Sequence, residues 1–253
     1  MTTSGLTEIR TLLSSHAFSD DLVTVRWSSR AKRLIFKSSV AKGVEVVVPN
    51  GADVRWVAEN VATRIQWIRN AYQRVKEDRC QLNPSEIKLN ALGETWVVNH
   101  ARLDEIRNGL VVGGERTLTV GVDPSDVFCV ARNLQEWLHQ KARASLVPWL
   151  GSLAEQRGLR FNRTAVRNQV SRWGSCSAKC NISLNRNLLF LPHHLVAYVL
   201  HHELTHLDHL NHSEIFWRTF SNVLPNCKEL RRELRALDTG CVPPWASPGL
   251  VDA

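Results

Sequence analysis

The stretch His202, Glu203, Leu204, Thr205, His206 spells HExxH. On a helix, residues four apart share a face and stand about 6 Å apart along the axis, so two imidazoles can meet one metal ion. A glutamate beside the first histidine then faces a water on that ion and can take its proton, the chemistry of metal-assisted hydrolysis. The pattern is short enough to arise by chance on a histidine-rich surface helix. Three features of the chain weigh against chance.

The first is a third ligand, since a catalytic zinc uses three protein ligands and keeps one position open. His212 lies six residues after His206, the interval that the metzincin pattern sets between its second and third histidines. That pattern has a turn-making glycine where His209 stands here, so Asn211, which tolerates left-handed backbone, is the expected turning device. The second feature is that the rival ligand, His209, fits poorly. On an unbroken helix it would sit roughly 7 Å beyond the midpoint of the His202–His206 pair, too far for one ion to span all three. His212 is therefore the expected third ligand, and His193, His194 and His201 are read as surface or supporting groups. The third feature is the setting. Leu195, Val199 and Leu200 carry the helix through a core, and residues 181–184 read as an edge strand that could hold an extended peptide by backbone hydrogen bonds.

The elements that must position these residues follow from hydrophobic period. Residues 22–27, 33–37 and 44–49 alternate or run apolar and read as a meander of three strands. From Asp53, a plausible N-cap, Val54, Val57, Val61, Ile65, Ile68 and Val75 can share one helical face. Four further strands are expected at 86–90, 94–100, 109–112 and 116–120. A long helix then runs from about 126 to 157, with Pro148 expected to kink or interrupt it. Strands at 164–172 and 181–184 flank Trp173–Ser177, and helices follow at 193–210, after Ser213, and at 228–237. The fold class is α+β. A tail (1–21) precedes a mixed strand and helix domain (22–122), a mainly helical zincin-like domain with a small sheet (123–241), and a loose tail (242–253).

The chain has 253 residues, 43% hydrophobic and 22% charged, ordinary for a folded globular protein. No run approaches the ~18–20 apolar residues of a membrane span, so no membrane partner is expected. The first twenty residues lack the basic start and apolar core of a secretory signal, which makes the cytoplasm the expected compartment. Six cysteines are read as free thiols, because Cys176 and Cys180 find no second pair at zinc-finger spacing. The net charge of +8 permits nucleic acid as a partner, but the basic residues are spread along the chain.

The C-terminal half resembles the YgjP-like family of metal-dependent hydrolases, relatives of the SprT-like zincins. The matching stretches are Arg172–Ser177 (RWGSCS), 181–185 (NISLN), Tyr198 with Val199, HExxH at 202–206, and Asn211, His212, Ser213 with Phe216 and Trp217. A looser likeness extends over residues 22–240. The resemblance implies one zinc per chain held by His202, His206 and His212, with Glu203 as base. One departure stands out: Cys180 occupies the place where such sequences usually have glycine.

The leading expectation is a zinc metallopeptidase acting on a peptide or protein substrate. Two alternatives differ in class: a zinc amidase on a non-peptide substrate, and a nucleic-acid-binding module with structural zinc. A thiol nucleophile at Cys176 is disfavoured, because no base can be tied to it. Three imidazoles suit zinc but admit cobalt, nickel or manganese.

Overall fold

The computed structural model describes residues 22–101, 109–237 and 239–250, together with Leu13 and Phe18. These divide into two compact units, one ending at Leu82 and one running from Asn83 to Gly249. The class is α+β.

In the first unit, β1 (Val23–Ser28), β2 (Ile35–Ser39) and β3 (Gly43–Pro49) form a sheet in the order β1-β3-β2. It is not the expected meander, because β1 pairs parallel to β3. Strand β3 is buried along nearly its whole length, whereas β2 is mostly exposed. A strand apolar on both faces belongs in the centre and a polar one at the edge, so chain order yields to burial. Helices α1 (Val54–Thr63) and α2 (Ile65–Cys80) replace the single expected helix, with a break at Arg64. Asp53 caps α1, accepting from the amides of Arg55 and Trp56 at 2.7 and 3.1 Å. Val57, Val61 and Ile68 join Val44, Val46 and Val48 in the core of this unit.

The second unit begins with β4 (Glu86–Leu89), β5 (Glu94–His100), β6 (Leu110–Val112) and β7 (Thr117–Val120), in the order β4-β5-β7-β6. Helix α3 (Val127–Gln156) follows. The division therefore falls well before residue 122, where the sequence placed it. The reason is packing that sequence order does not reveal. Trp96 of β5 meets Trp137 of α3 edge-on at 5.2 Å, Lys141 of α3 pairs with Glu94 at 2.9 Å, and the Ala91 amide donates to the Leu189 carbonyl. Pro148 does not interrupt α3, which runs on through Gln156.

Strands β8 (Arg163–Arg167), β9 (Gly174–Cys176) and β10 (Asn181–Asn185) make a third sheet, in the order β8-β10-β9. A 3-10 turn (Arg186–Phe190) leads to α4 (His193–Thr205), α5 (Glu214–Val223) and α6 (Cys227–Ala236). Residues 242–249 are no loose tail. Trp245 is 1% exposed, and its carbonyl accepts from the Gln135 side chain, which in turn accepts from buried Arg186 at 2.7 Å.

Cys180, in the β9–β10 turn, has φ 54°, a left-handed conformation that disfavours any side chain with a Cβ. That explains why glycine suits the position. Cys180→Gly is expected to raise stability by about 1 kcal/mol or less, after the entropy glycine adds to the unfolded chain. A thermal melt checks it: the midpoint should rise by up to about 2–4 °C, and a fall would contradict the strain.

Candidate metal centre

Helix α4 begins after Pro192 and buries Leu195, Val196, Val199, Leu200 and Leu204. The helical period places His202 and His206 one turn apart, with Glu203 turned toward β9. The helix stops at Thr205, earlier than the apolar pattern suggested. The amides of Leu207 and Asp208 reach back only three residues, to the carbonyls of Leu204 and Thr205, tightening the last turn in the 3-10 manner. Arg157 completes the end from the C-cap of α3, donating to the His201 carbonyl at 3.1 Å and to Thr205 Oγ1 at 3.3 Å. A cation there also suits the negative end of the helix. Asn211 is not left-handed, since the only non-glycine residues with positive φ among those described are Glu115, Arg116 and Cys180. The tightened turn and the arginine do the work expected of Asn211.

The chain then brings His212 back one residue before Ser213, the N-cap of α5, whose hydroxyl accepts from the Phe216 amide. The three imidazoles converge. His202 Nε2 lies 3.2 Å from His206 Nε2 and 3.0 Å from His212 Nε2, and no two of the cluster's ligand atoms are more than 4.8 Å apart. Tetrahedral ligation with metal–nitrogen bonds of ~2.0–2.1 Å sets nitrogens roughly 3.3 Å apart, so the donors fit a single small ion. Protonation agrees with that role. His206 Nδ1 lies 2.9 Å from the His209 carbonyl, which holds the proton on Nδ1 and leaves Nε2 its lone pair. Burial, and then repulsion from the clustered imidazoles and Arg231, push His202 down to about 3 and lower His212. Both rings are held neutral, as a ligand must be.

His209, the rival, turns its Nε2 to Thr219 Oγ1 at 3.2 Å and stays out of the cluster. His193 stacks on Trp149 at 4.4 Å, and His194 pairs with Glu233 at 2.7 Å. Aromatic rings wall the cluster: Phe216 lies 4.6–5.1 Å from all three imidazoles, and Phe220 is 5.6 Å from His202. Phe216 and Phe220 are fully buried, and this apolar backing is what desolvates the rings.

Glu203 is 4% exposed, and its Oε2 is buried with no hydrogen-bond partner. Burial pushes its carboxyl up to about 8, against the opposing pull of Arg172. A desolvated carboxyl without a partner, on the residue between two converging imidazoles, has the environment of a general base. Its seat is Gly174: a Cβ built there would come within 2.7 Å of Glu203 Oε1 and 2.8 Å of its Cγ. Gly174→Ala should displace the carboxyl, costing about 1–3 kcal/mol of stability by overpacking. It should also lower kcat tenfold or more, with metal content retained; unchanged kcat would show that Glu203 is not held by this contact.

The strand beside Glu203 is β9, not β10. Asn181–Asn185, expected at the edge, is the central strand, paired parallel to β8 and antiparallel to β9. Asn185 donates to the Trp173 carbonyl and Ser177 to the Asn181 carbonyl. In an antiparallel ladder such pairs alternate, so the amides and carbonyls of Gly174 and Cys176 point to the free edge of the sheet. The segment read from sequence as a packed turn thus offers the unpaired backbone. Its dense small residues hide the strand period, and nothing in the sequence singled out Arg157. Burial, and then the nearby Glu203 carboxyl, push the Cys176 thiol up to about 11, which disfavours the thiolate that a nucleophile needs.

Among the described residues, no helix is long and apolar enough to cross a membrane. No curated protein matches the chain. The family model for the YgjP-like metallopeptidase domain matches residues 32–237, a span that takes in Arg157, Gly174, Glu203 and the three converging histidines. The chain belongs to the YgjP-like family, and its domain is that of a metal-dependent hydrolase of the metallopeptidase kind.

Proposed function

We propose that the protein is a zinc peptidase in which His202, His206 and His212 hold one zinc and Glu203 is the general base. The observation that carries this reading is the convergence of three Nε2 atoms next to a buried carboxyl with an unpartnered oxygen. Zinc, when bound, supplies Lewis acidity, lowering the pKa of a coordinated water toward about 7 and polarising the scissile carbonyl. Glu203 takes the proton of the attacking water on its carboxylate and hands it to the leaving amine. Gly174 keeps that carboxylate in place by leaving no Cβ in its path. The substrate backbone lies along β9, hydrogen-bonded to Gly174 and Cys176 as an added strand.

The free edge of β9 favours an extended peptide over a small amide, because it rewards a repeating backbone. A purely structural zinc is disfavoured, since such sites are closed by four protein ligands. Here the cluster among the described residues has three, and His212 is exposed. Six free thiols suit a reducing compartment, and we assign the protein to the cytoplasm.

The test is to strip the metal, restore one equivalent of zinc, and offer a mixed peptide library beside small amides. Peptide cleavage that disappears with chelator and returns with zinc is expected. Hydrolysis of small amides alone, or no hydrolysis at one zinc per chain, would overturn the assignment.

A further inference from the structure

A polar groove of about 670 Å³ runs over the β8-β10-β9 sheet, lined by Arg163, Arg167 and Arg172. In register, Arg163 faces Asn181, Ala165 faces Ser183, Arg167 faces Asn185, and Ser183 faces Ser175. These side chains therefore share one face of the sheet, opposite the buried Ile182 and Leu184. All three arginines are exposed, and none is in a salt bridge among the described residues, although Arg172 also acts on the Glu203 carboxyl. The lining contains no aspartate or glutamate. Ser183, on the same face, has its Oγ buried without a hydrogen-bond partner. An unpaired buried hydroxyl is costly and can donate to an anion, and beside three arginines it points to a polar, anionic occupant.

We propose that this groove is a carboxylate-binding subsite, through which the enzyme selects acidic peptide segments. The inference rests on the peptidase reading given above. A guanidinium fork matches a carboxylate in bidentate fashion. Arg163 and Arg167, four residues apart on one strand, are separated by about 13 Å. Side chains on one face of an extended peptide recur every ~6.6–6.8 Å, so a segment running along β8, separate from the residues hydrogen-bonded to β9, meets both with carboxylates four residues apart. The groove shares Ser175, Cys176 and Ser177 with the β9 edge, where the substrate strand would lie. A nucleic-acid strand is the weaker candidate, because such sites stack bases on aromatic rings and no aromatic residue lines this groove.

The carboxylates could be those of Asp and Glu side chains or a free C-terminus. Three fluorogenic peptides of one length separate the sources: Glu-flanked with an amidated end, Gln-flanked with an amidated end, and Gln-flanked with a free end. With the zinc-loaded protein, kcat/KM should be about tenfold or more higher for whichever carboxylate source is recognised. Arg163→Gln with Arg167→Gln should erase that ratio, and Arg167→Glu should turn the preference toward Lys-flanked peptides. Arg55→Gln, on the other compact unit, should leave the ratio as it is. Binding of labelled Glu-flanked peptide to Glu203→Gln protein, followed by fluorescence anisotropy, reads the groove without turnover. If no peptide is cleaved but anisotropy reports binding that the double variant loses, the peptidase reading falls and the carboxylate subsite stands. Equal kcat/KM for all three peptides, a ratio that survives the double variant, or tight binding of a single-stranded oligonucleotide without binding of the Glu-flanked peptide would each overturn the subsite.

Discussion

Glu203→Gln is expected to abolish hydrolysis and keep the metal. The amide is isosteric with the carboxyl, so the packing against Gly174 is preserved, while the group that takes the proton is gone. General-base catalysis contributes about 10²–10⁴-fold, and the loss in kcat should be at least of that order, with zinc content per chain unchanged. The same substitution should stabilise the chelator-treated protein. Burial raises the folded carboxyl from 4.5 to about 8, so between those values the fold holds a proton that the unfolded chain releases. Stability therefore falls as pH rises through that window. Glutamine has no proton to lose, and the variant should melt higher than the metal-free wild type at pH 8, with the gap closing toward pH 4.5. His202 acts in the opposite sense. Its folded value of about 3 lies below the ordinary 6.5, so its contribution is present above pH 6.5 and is lost as pH falls toward 3. Melts of both proteins across pH, with kinetics and elemental analysis, check all three statements. Turnover by Glu203→Gln near the wild-type rate would remove Glu203 from the mechanism.

His212→Ala is expected to release the metal, and His209→Ala to keep it. Changes one step removed from a metal ligand cost about 10–100-fold in affinity, so loss of a converging imidazole should exceed that. His209 contributes to the centre through its backbone, because the atom that accepts from His206 Nδ1 is a carbonyl oxygen. Alanine keeps that carbonyl and forfeits only the side-chain contact to Thr219. Elemental analysis after dialysis against trace zinc should find about one metal per chain in wild type and His209→Ala, and little in His212→Ala. Equal retention by both variants would exclude His212 as a ligand.

The comparison of sequence with structure turns on the range over which each signal acts. HExxH is a helical-period statement about residues four apart, so the approach of His202 to His206 was legible without any tertiary information. The capping aspartate at 53 and the long helix after Asp126 were legible for the same reason, as was the α+β class, because these depend on neighbours along the chain. His212 was legible as a candidate through its interval and through the family resemblance at Asn211, His212 and Ser213. Its arrival 3.0 Å from His202 depends on how α4 ends and α5 begins.

Strand order was not legible in the chain. Alternation reports that a strand exists and which side chains share a face, but pairing is settled by burial across the sheet. So β3 took the centre of the first sheet over β2, and β10 took the centre of the third, leaving β9 at the edge beside Glu203. The unit boundary moved to Leu82 because Trp96 and Trp137 pack together from elements distant in sequence. Local spacing thus determined the chemistry available to this protein: two imidazoles and a carboxyl on one helix, with a third imidazole in reach. Tertiary packing alone decided the rest. It buried Glu203 against a glycine that precedes it by 29 residues, closed the helix end with Arg157, and left one backbone edge of β9 unpaired among the described residues. Burial and pairing are properties of surfaces brought together by folding, which no window of sequence contains.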